Sequence, residues 1–151
     1  MDATTAITFE IPGDPIPQPR ARFANGRAYT PDRRGLKTYK AAIALSCMAA
    51  ARRAGWDVTA GPHEIGVEAI FTRPPSHLTA DGRALRKTAA PFPGQGCGDL
   101  DNLEKAIWDS ITTGGGVWRD DSQIVASSAS KRYASPGATG RLRVTIRRPP
   151  P

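Results

Sequence analysis

Residues that build covalent or metal-bound scaffolds are scarce in this sequence. Cysteine and histidine each occur only twice in 151 residues, and Cys47 and Cys97 stand far apart, with no CxxC pair. A disulfide framework and a cysteine-based zinc site are therefore not expected. His63 and His77 are interpreted as structural, because no further histidine or aspartate accompanies them at the spacing of metal ligands.

Long apolar runs are missing as well. No run approaches the roughly 20 apolar residues that a membrane-spanning helix needs, and residues 1–8 lack the basic start and apolar core of a signal peptide. We therefore expect a cytoplasmic protein with no membrane partner. The glycine-rich run at residues 94–98 lacks the later glycine of GxGxxG and is not followed by GK[ST], so it does not indicate a nucleotide-binding loop.

Acidic residues are outnumbered by basic ones. Lysine and arginine total 21 against 14 acids, which gives a net charge of +7, and arginine outnumbers lysine. Because the planar guanidinium group suits bidentate phosphate contacts, this balance favours a nucleic-acid partner over an inert basic surface. The hydrophobic share of 39% is ordinary, so we expect one domain over residues 1–151, with a frayed tail at 148–151.

Hydrophobic periodicity predicts an α+β domain, in which a mixed sheet of about four or more strands packs with two main helices. The predicted elements are strands at 7–11, 65–71, 124–129 and 142–146, and helices at 30–54 and 103–111. The turn-forming residues 135–140 predict that the last two strands form a hairpin. Residues 72–98 have no clear period and are expected to form a long loop.

The segment before the first helix is rich in arginine. Asn25-Gly26 predicts a tight hairpin, whose Phe23 and Tyr29 either lie with the arginines against a phosphate backbone or point into the core. Thr30-Pro31-Asp32 has the order of an N-cap, an N1 proline and a first-turn acid, so the helix is expected to begin there. The candidates for phosphate contact are Arg20, Arg22, Arg27, Arg33, Arg34 and Lys37.

Asp99 and Asp101 stand two residues apart, directly before the second predicted helix. If residues 98–100 are extended, both carboxylates point to the same side, where a cation would relieve their repulsion. Magnesium prefers such oxygen ligands, together with water and substrate phosphate. Asp101 also fits an N-capping box with Glu104, so capping and metal binding are both open for it, whereas capping does not explain Asp99.

Lys105 and a second acidic pair complete the candidate site. Lys105 follows Asp101 by one helical turn, where it can meet a phosphate held by the metal. The alternative for Lys105 is a surface ion pair with Asp109. Asp120 and Asp121 follow Trp118 and bring two more acids into a basic protein.

Two motifs resemble those of the RusA family of Holliday-junction resolvases, the crossover junction endodeoxyribonucleases, in their phage and prophage form. Residues 99–109 read DLDNLEKAIWD and residues 117–125 read VWRDDSQIV, which match the family patterns DxDNLxKxxxD and W-x-DD-x-Q-[IV]. The N-terminal IPGDP, RAR and YTP also look like phage-type members, whereas residues 73–98 match no known pattern. Gln18-Pro19 stands where many members carry a lysine, with Arg20 and Arg22 close by.

This resemblance implies a magnesium-dependent endonuclease, with Mn²⁺ able to substitute, that cuts four-way DNA junctions as a homodimer in DNA recombination and repair. It implies that Asp99, Asp101 and Asp121 are catalytic metal ligands, with Asp120 as a competitor for the third place, and that Lys105 is the essential lysine. Two alternatives stay open. One is a non-catalytic basic DNA-binding protein, and the other is a less selective nuclease for flaps or other branched DNA.

Overall fold

A mixed four-stranded sheet carries the fold. The structure is a computed structural model that describes residues 4–31 and 35–151. In chain order its elements are β1 (Ala6–Pro12), β2 (Arg22–Ala24), β3 (Arg27–Tyr29), α1 (Leu36–Ala54), β4 (His63–Phe71), α2 (Leu100–Gly114), β5 (Ile124–Tyr133) and β6 (Arg141–Arg147). The main sheet has the order β1-β6-β4-β5, in which β4 and β5 are parallel and the other pairs antiparallel. The predicted α+β class is confirmed.

Both helices pack on one face of this sheet. Alternate residues of β4 and β6, such as Val67 and Val144, join a core with Ile43 of α1 and Ile107 of α2. The predicted inward residues of α1 are all buried: Leu36, Tyr39, Ile43, Cys47, Ala50 and Ala51. Burial also raises the pKa of the Cys47 thiol to about 12, so this residue packs as a small apolar side chain.

The predicted hairpin of the last two strands is wrong. β6 lies between β1 and β4, while β5 pairs only with β4, at the edge of the sheet. The burial of the two strands explains this placement. Leu142, Val144 and Ile146 are fully buried and suit a central strand, whereas β5 is exposed at most positions. β5 also runs beyond the predicted end at Ala129.

Helix α1 begins later than predicted. Its N-cap is Gly35, whose φ of 73° lies in the left-handed region that favours glycine, and Pro31 lies outside the helix. The proposed start at Thr30-Pro31 is therefore wrong, while Asp32 lies outside the described residues. The predicted end is confirmed, because Gly55 adopts φ 64° and its N–H bonds to the last carbonyls of the helix.

The predicted long loop at residues 72–98 contains two short 3₁₀ turns, Pro75–His77 and Gln95–Cys97. It is fastened to β5 by an aromatic cluster, because the Arg73 guanidinium carbon lies 4.1 Å from the ring centre of Tyr133. His77 meets the same ring edge-on, with the ring centres 5.4 Å apart.

His63 is fully buried between Trp56 and Trp118, and its ring centre lies 5.8 Å from that of each tryptophan. Both histidines therefore contribute to packing.

Candidate active site

Helix α2 presents the first part of the candidate site. Its apolar residues Leu103, Ala106, Ile107 and Ile111 are buried, as predicted, and they turn the opposite side of the helix toward solvent. Asp101 in the first turn and Lys105 one turn later are both exposed on that side. The amphipathic pattern thus places an acid and a base next to each other at the surface.

Asp99, and not Asp101, is the N-cap of α2. Its backbone is extended at φ −81° and ψ 153°, its carbonyl accepts from the N–H of Leu103, and its side chain makes no capping hydrogen bond to any described residue. Asp101 is already helical, so the proposed capping box of Asp101 with Glu104 is wrong. The extended geometry assumed for residues 98–100 ends at Asp99, because the helix begins at Leu100.

The approach to α2 is held from two sides. Gly98 adopts φ +91° and lies so close to Pro17 that an added Cβ would be 2.5 Å from the Cβ and Cγ of that proline. On the other side, Nζ of Lys131 donates to the carbonyl of Gly98 over 3.0 Å. The start of the acid-bearing helix is therefore anchored both to the N-terminal segment and to β5.

A surface cavity of about 520 Å³ joins α2 to the start of β5. It is lined by Asp101, Glu104, Lys105, Trp108, Asp109, Asp121 and Ser127. Three of the residues predicted from the sequence, Asp101, Lys105 and Asp121, thus share one cavity. Asp99 is exposed at the helix start and is not among the lining residues.

The acids after Trp118 have different surroundings. Asp120 is the N-cap of the 3₁₀ turn Asp121–Gln123, and its Oδ1 accepts from the N–H of Ser122 over 2.7 Å. Hydrogen bonds from Ser122 lower the pKa of the Asp120 carboxyl. Asp121 lines the cavity instead. These geometries favour Asp121 over Asp120 as the third acid of the site.

Gln123 fastens this turn to the loop before β4. Its Oε1 accepts from the N–H groups of Arg119 at 2.8 Å and Asp120 at 3.1 Å. Its Nε2 donates to the carbonyls of Thr59 and Gly61, each at 2.8 Å. The glutamine stands in the second motif, but the sequence pattern alone assigned it no role, because its partners are distant in the chain.

Glu104 is a cavity residue that the sequence interpretation treated only as a capping partner. Burial raises the pKa of its carboxyl, the Ser127 side chain lowers it by hydrogen bonding, and the negative charge of Asp101 raises it. Ser127 stands on β5, so this neighbour becomes visible only when the sheet has brought β5 against α2. Glu104 therefore adds a carboxylate to those of Asp101, Asp109 and Asp121 in the cavity.

Lys105 forms the predicted surface ion pair with Asp109. Its Nζ lies 3.4 Å from Oδ2 of Asp109, and the Lys105 side chain is 62% exposed. An exposed pair of this kind contributes little to stability. The pair leaves Lys105 among the residues that line the cavity.

The predicted hairpin at Asn25-Gly26 is confirmed: β2 and β3 pair antiparallel, and every residue of both strands is exposed. Phe23 is 78% exposed and Tyr29 47%, so the alternative in which these aromatics point into the core is wrong. Arg20, Arg22 and Arg27 are exposed, and Lys37 is exposed in the first turn of α1. Arg33 and Arg34 lie outside the described residues.

Chemically, the carboxylates of the cavity fit a divalent cation. Asp101, Glu104 and Asp121 offer the oxygen donors that magnesium prefers. In the part of the chain that the structure describes, however, no three acidic, histidine or cysteine side chains lie close enough to form a ready-made metal cluster. The carboxylates are therefore of the type that binds magnesium, and they line one cavity, but they do not form a compact cluster.

The chain is similar to known proteins over most of its length. Residues 12–147 match the family model Endodeoxyribonuclease RusA. The Bacillus subtilis protein YqaN is 28% identical over an alignment 150 residues long, which covers 93% of this chain and 95% of the relative. The RusA crossover junction endodeoxyribonucleases of Escherichia coli K12 and Enterobacteria phage 82 are each 31% identical over an alignment 93 residues long, which covers 47% of this chain and 75% of the relative.

Among residues 4–31 and 35–151, no helix is both long and apolar enough to cross a bilayer.

Proposed function

The chain belongs to the RusA family of endodeoxyribonucleases, and on this premise we propose that it resolves four-way DNA junctions by magnesium-dependent hydrolysis as a homodimer. It is accordingly a nuclease that hydrolyses DNA. Family membership therefore argues against the alternative of a non-catalytic DNA-binding protein. The proposal extends to a role in DNA recombination and repair, where four-way junctions arise.

One observation carries the proposal. Asp101 and Lys105 of α2 share a cavity with Asp121, which stands on a separate 3₁₀ turn beyond the end of the helix. Acids that were needed only for solubility would have no reason to converge from two elements beside a lysine. Sites with perturbed or clustered titratable groups in a cleft are typical of catalysis.

The chemistry of phosphodiester hydrolysis suits these residues. When bound, a magnesium ion supplies an activated water and stabilises the leaving oxygen. Asp101 and Asp121 would hold it, with Asp99 close by at the start of the helix. Lys105 would neutralise negative charge that develops on the phosphate during attack. Asp120 is assigned to the turn, since its carboxylate caps the backbone.

Two further features support binding to branched DNA. The exposed arginines Arg20, Arg22 and Arg27 stand on and beside a hairpin whose strand residues are all exposed, so they are accessible to phosphates. Such contacts release counterions, so binding should weaken steeply with salt. Two symmetric cuts across a junction need two active sites related by a two-fold axis, which a homodimer supplies.

Cleavage of a synthetic four-way junction tests the proposal. We expect wild type to cut it with Mg²⁺ or Mn²⁺ and to stop when the metal is chelated. Asp101→Asn and Asp121→Asn should abolish cutting while junction binding persists, and Asp120→Asn should keep substantial activity. A folded wild-type protein that cuts no branched DNA would overturn the proposal. Equal cutting of flaps, forks and junctions would instead assign the less selective nuclease.

A further inference from the structure

Gln18 lies where the N-terminal segment meets both helices. Its side chain is 5% exposed. Its Nε2 donates to Oδ2 of Asp109 over 3.1 Å, and its Oε1 accepts from Nζ of Lys40 over 3.0 Å. Its backbone N–H donates to the carbonyl of Asn102 over 3.0 Å. One buried side chain therefore connects α1 to α2 beside the candidate active site.

Three nitrogen-bearing side chains contact a single carboxylate oxygen of Asp109. Besides the amide of Gln18, its Oδ2 lies 3.4 Å from Nζ of Lys105 and 4.0 Å from Nζ of Lys40. The side chains of Asp109 and Lys40 are 31% and 30% exposed, whereas that of Lys105 is 62% exposed and lines the cavity. The cluster contains two ammonium groups and one carboxylate, so one positive charge is left uncompensated.

This arrangement differs from an ordinary surface ion pair. An exposed lysine samples many rotamers, and a carboxylate that is equally free restricts it little. Here the carboxylate of Asp109 is held by the amide of a buried glutamine before Lys105 approaches. Lys40 also lies near this carboxylate, so Asp109 is shared between two ammonium groups and does not neutralise Lys105 alone.

We propose that Asp109 is a positioning residue, held by Gln18 and Lys40, that keeps the ammonium of Lys105 at the wall of the cavity. The inference rests on the proposed function, because the held ammonium acts on a phosphate that binds there. Placing a catalytic group before the substrate arrives removes part of the cost of orienting it during the reaction. Asp109 itself touches no reacting atom.

The first test measures position without requiring cleavage. Asp109→Asn keeps the size of the side chain and an oxygen for the Gln18 amide, but it removes the charge that holds Lys105. We expect the NMR order parameter of the Lys105 ¹³Cε group to be high in wild type. In Asp109→Asn it should fall toward that of Lys87, an exposed loop lysine. An unchanged order parameter would overturn the proposal.

The second test measures the effect on the reaction. Under single-turnover conditions, Asp109→Asn should cut a four-way junction about 10- to 100-fold more slowly, with an unchanged Kd for the junction. Gln18→Met should lose rate in the same direction, by a smaller factor. Glu68→Gln, a charge-neutralising variant on the face of the sheet away from the helices, serves as the matched control and should retain the wild-type rate.

The double variant Lys105→Ala/Asp109→Asn decides whether the two residues act together. If Asp109 acts through Lys105, the double variant is no slower than Lys105→Ala alone. Rate losses that multiply would overturn the proposal, as would wild-type cleavage by Asp109→Asn. If wild type cuts no DNA, the proposed function fails, and the order parameter of Lys105 still decides whether Asp109 positions it.

Discussion

Replacing Gln123 with alanine tests how the turn that carries Asp121 is held. The variant loses four side-chain hydrogen bonds. Two are accepted from the N–H groups of Arg119 and Asp120 beside the turn, and two connect the turn to the loop before β4. It removes no charge and no residue that lines the cavity. Any effect on cleavage must therefore come through the position of the turn, which makes the glutamine a sensitive probe.

The size of the effect follows from the surroundings of these bonds. A protein hydrogen bond contributes a net free energy of about 1 kcal/mol. The bonds to Arg119, Asp120 and Thr59 are exposed, so water can replace the missing partner, and only the bond to Gly61 is partly buried. We therefore expect the free energy of unfolding to fall by about 2 kcal/mol in total, and Tm to decrease by roughly 4–8 °C for a domain of this size.

The rate of cleavage should fall by a larger factor than the modest loss of folding stability would suggest. A displacement of about 1 Å in a catalytic group can cost roughly 100-fold in rate, so single-turnover cleavage by Gln123→Ala should be about 10- to 100-fold slower, with junction binding retained. Calorimetry gives the Tm, and a quenched time course gives the rate. Val125→Thr, at an exposed position of β5, is the matched control. A variant with wild-type Tm and wild-type rate would refute the assignment of Gln123 as the anchor of the turn.

Three further predictions concern other parts of the domain. Burial lowers the pKa of His63, so only the unfolded chain takes up its proton near pH 6.5. Urea unfolding should show stability falling below that pH by up to about 1.4 kcal/mol per unit, with a shallower slope in His63→Phe; equal slopes contradict this. Arg22→Gln/Arg27→Gln should reduce the slope of log Kd for the junction against log salt by about 0.9 for each phosphate that is no longer neutralised, and an unchanged slope argues against binding of these arginines to phosphate. Gly98→Ala should lower Tm, because its Cβ would overlap Pro17; Gly94→Ala, where a Cβ meets no neighbour, should affect Tm less.

Local patterns predicted the elements well because their causes are local. The alternation of Ile7, Phe9 and Ile11 and the spacing of Leu103 and Ile107 reflect burial of one face, and all of them are buried. The order of the strands in the sheet, in contrast, does not follow from local patterns. Which strand becomes central depends on partners at both edges, and no feature of residues 135–140 signalled that β4 would separate β5 from β6.

The candidate site was predictable in its residue types and less so in its geometry. Two short motifs identified Asp101, Lys105 and Asp121, which the fold brings to one cavity. The backbone at Asp99 starts the helix two residues earlier than the capping pattern suggested, so the N-cap position belongs to Asp99 and not to Asp101. Glu104 and Gln123 could not be assigned in advance, because Ser127 and Thr59 reach them only in the folded sheet.

The central position of β6 has a consequence for biosynthesis. β1 and β4 hydrogen-bond to β6 on its two sides, so the earliest strand of the chain has no partner in the main sheet until residues 141–147 have left the ribosome. Contacts between segments so far apart in sequence also form slowly. We therefore expect that Asp101 and Asp121 do not yet share a cavity in the nascent chain. Nuclease activity should appear only after β6 has emerged and completed the sheet.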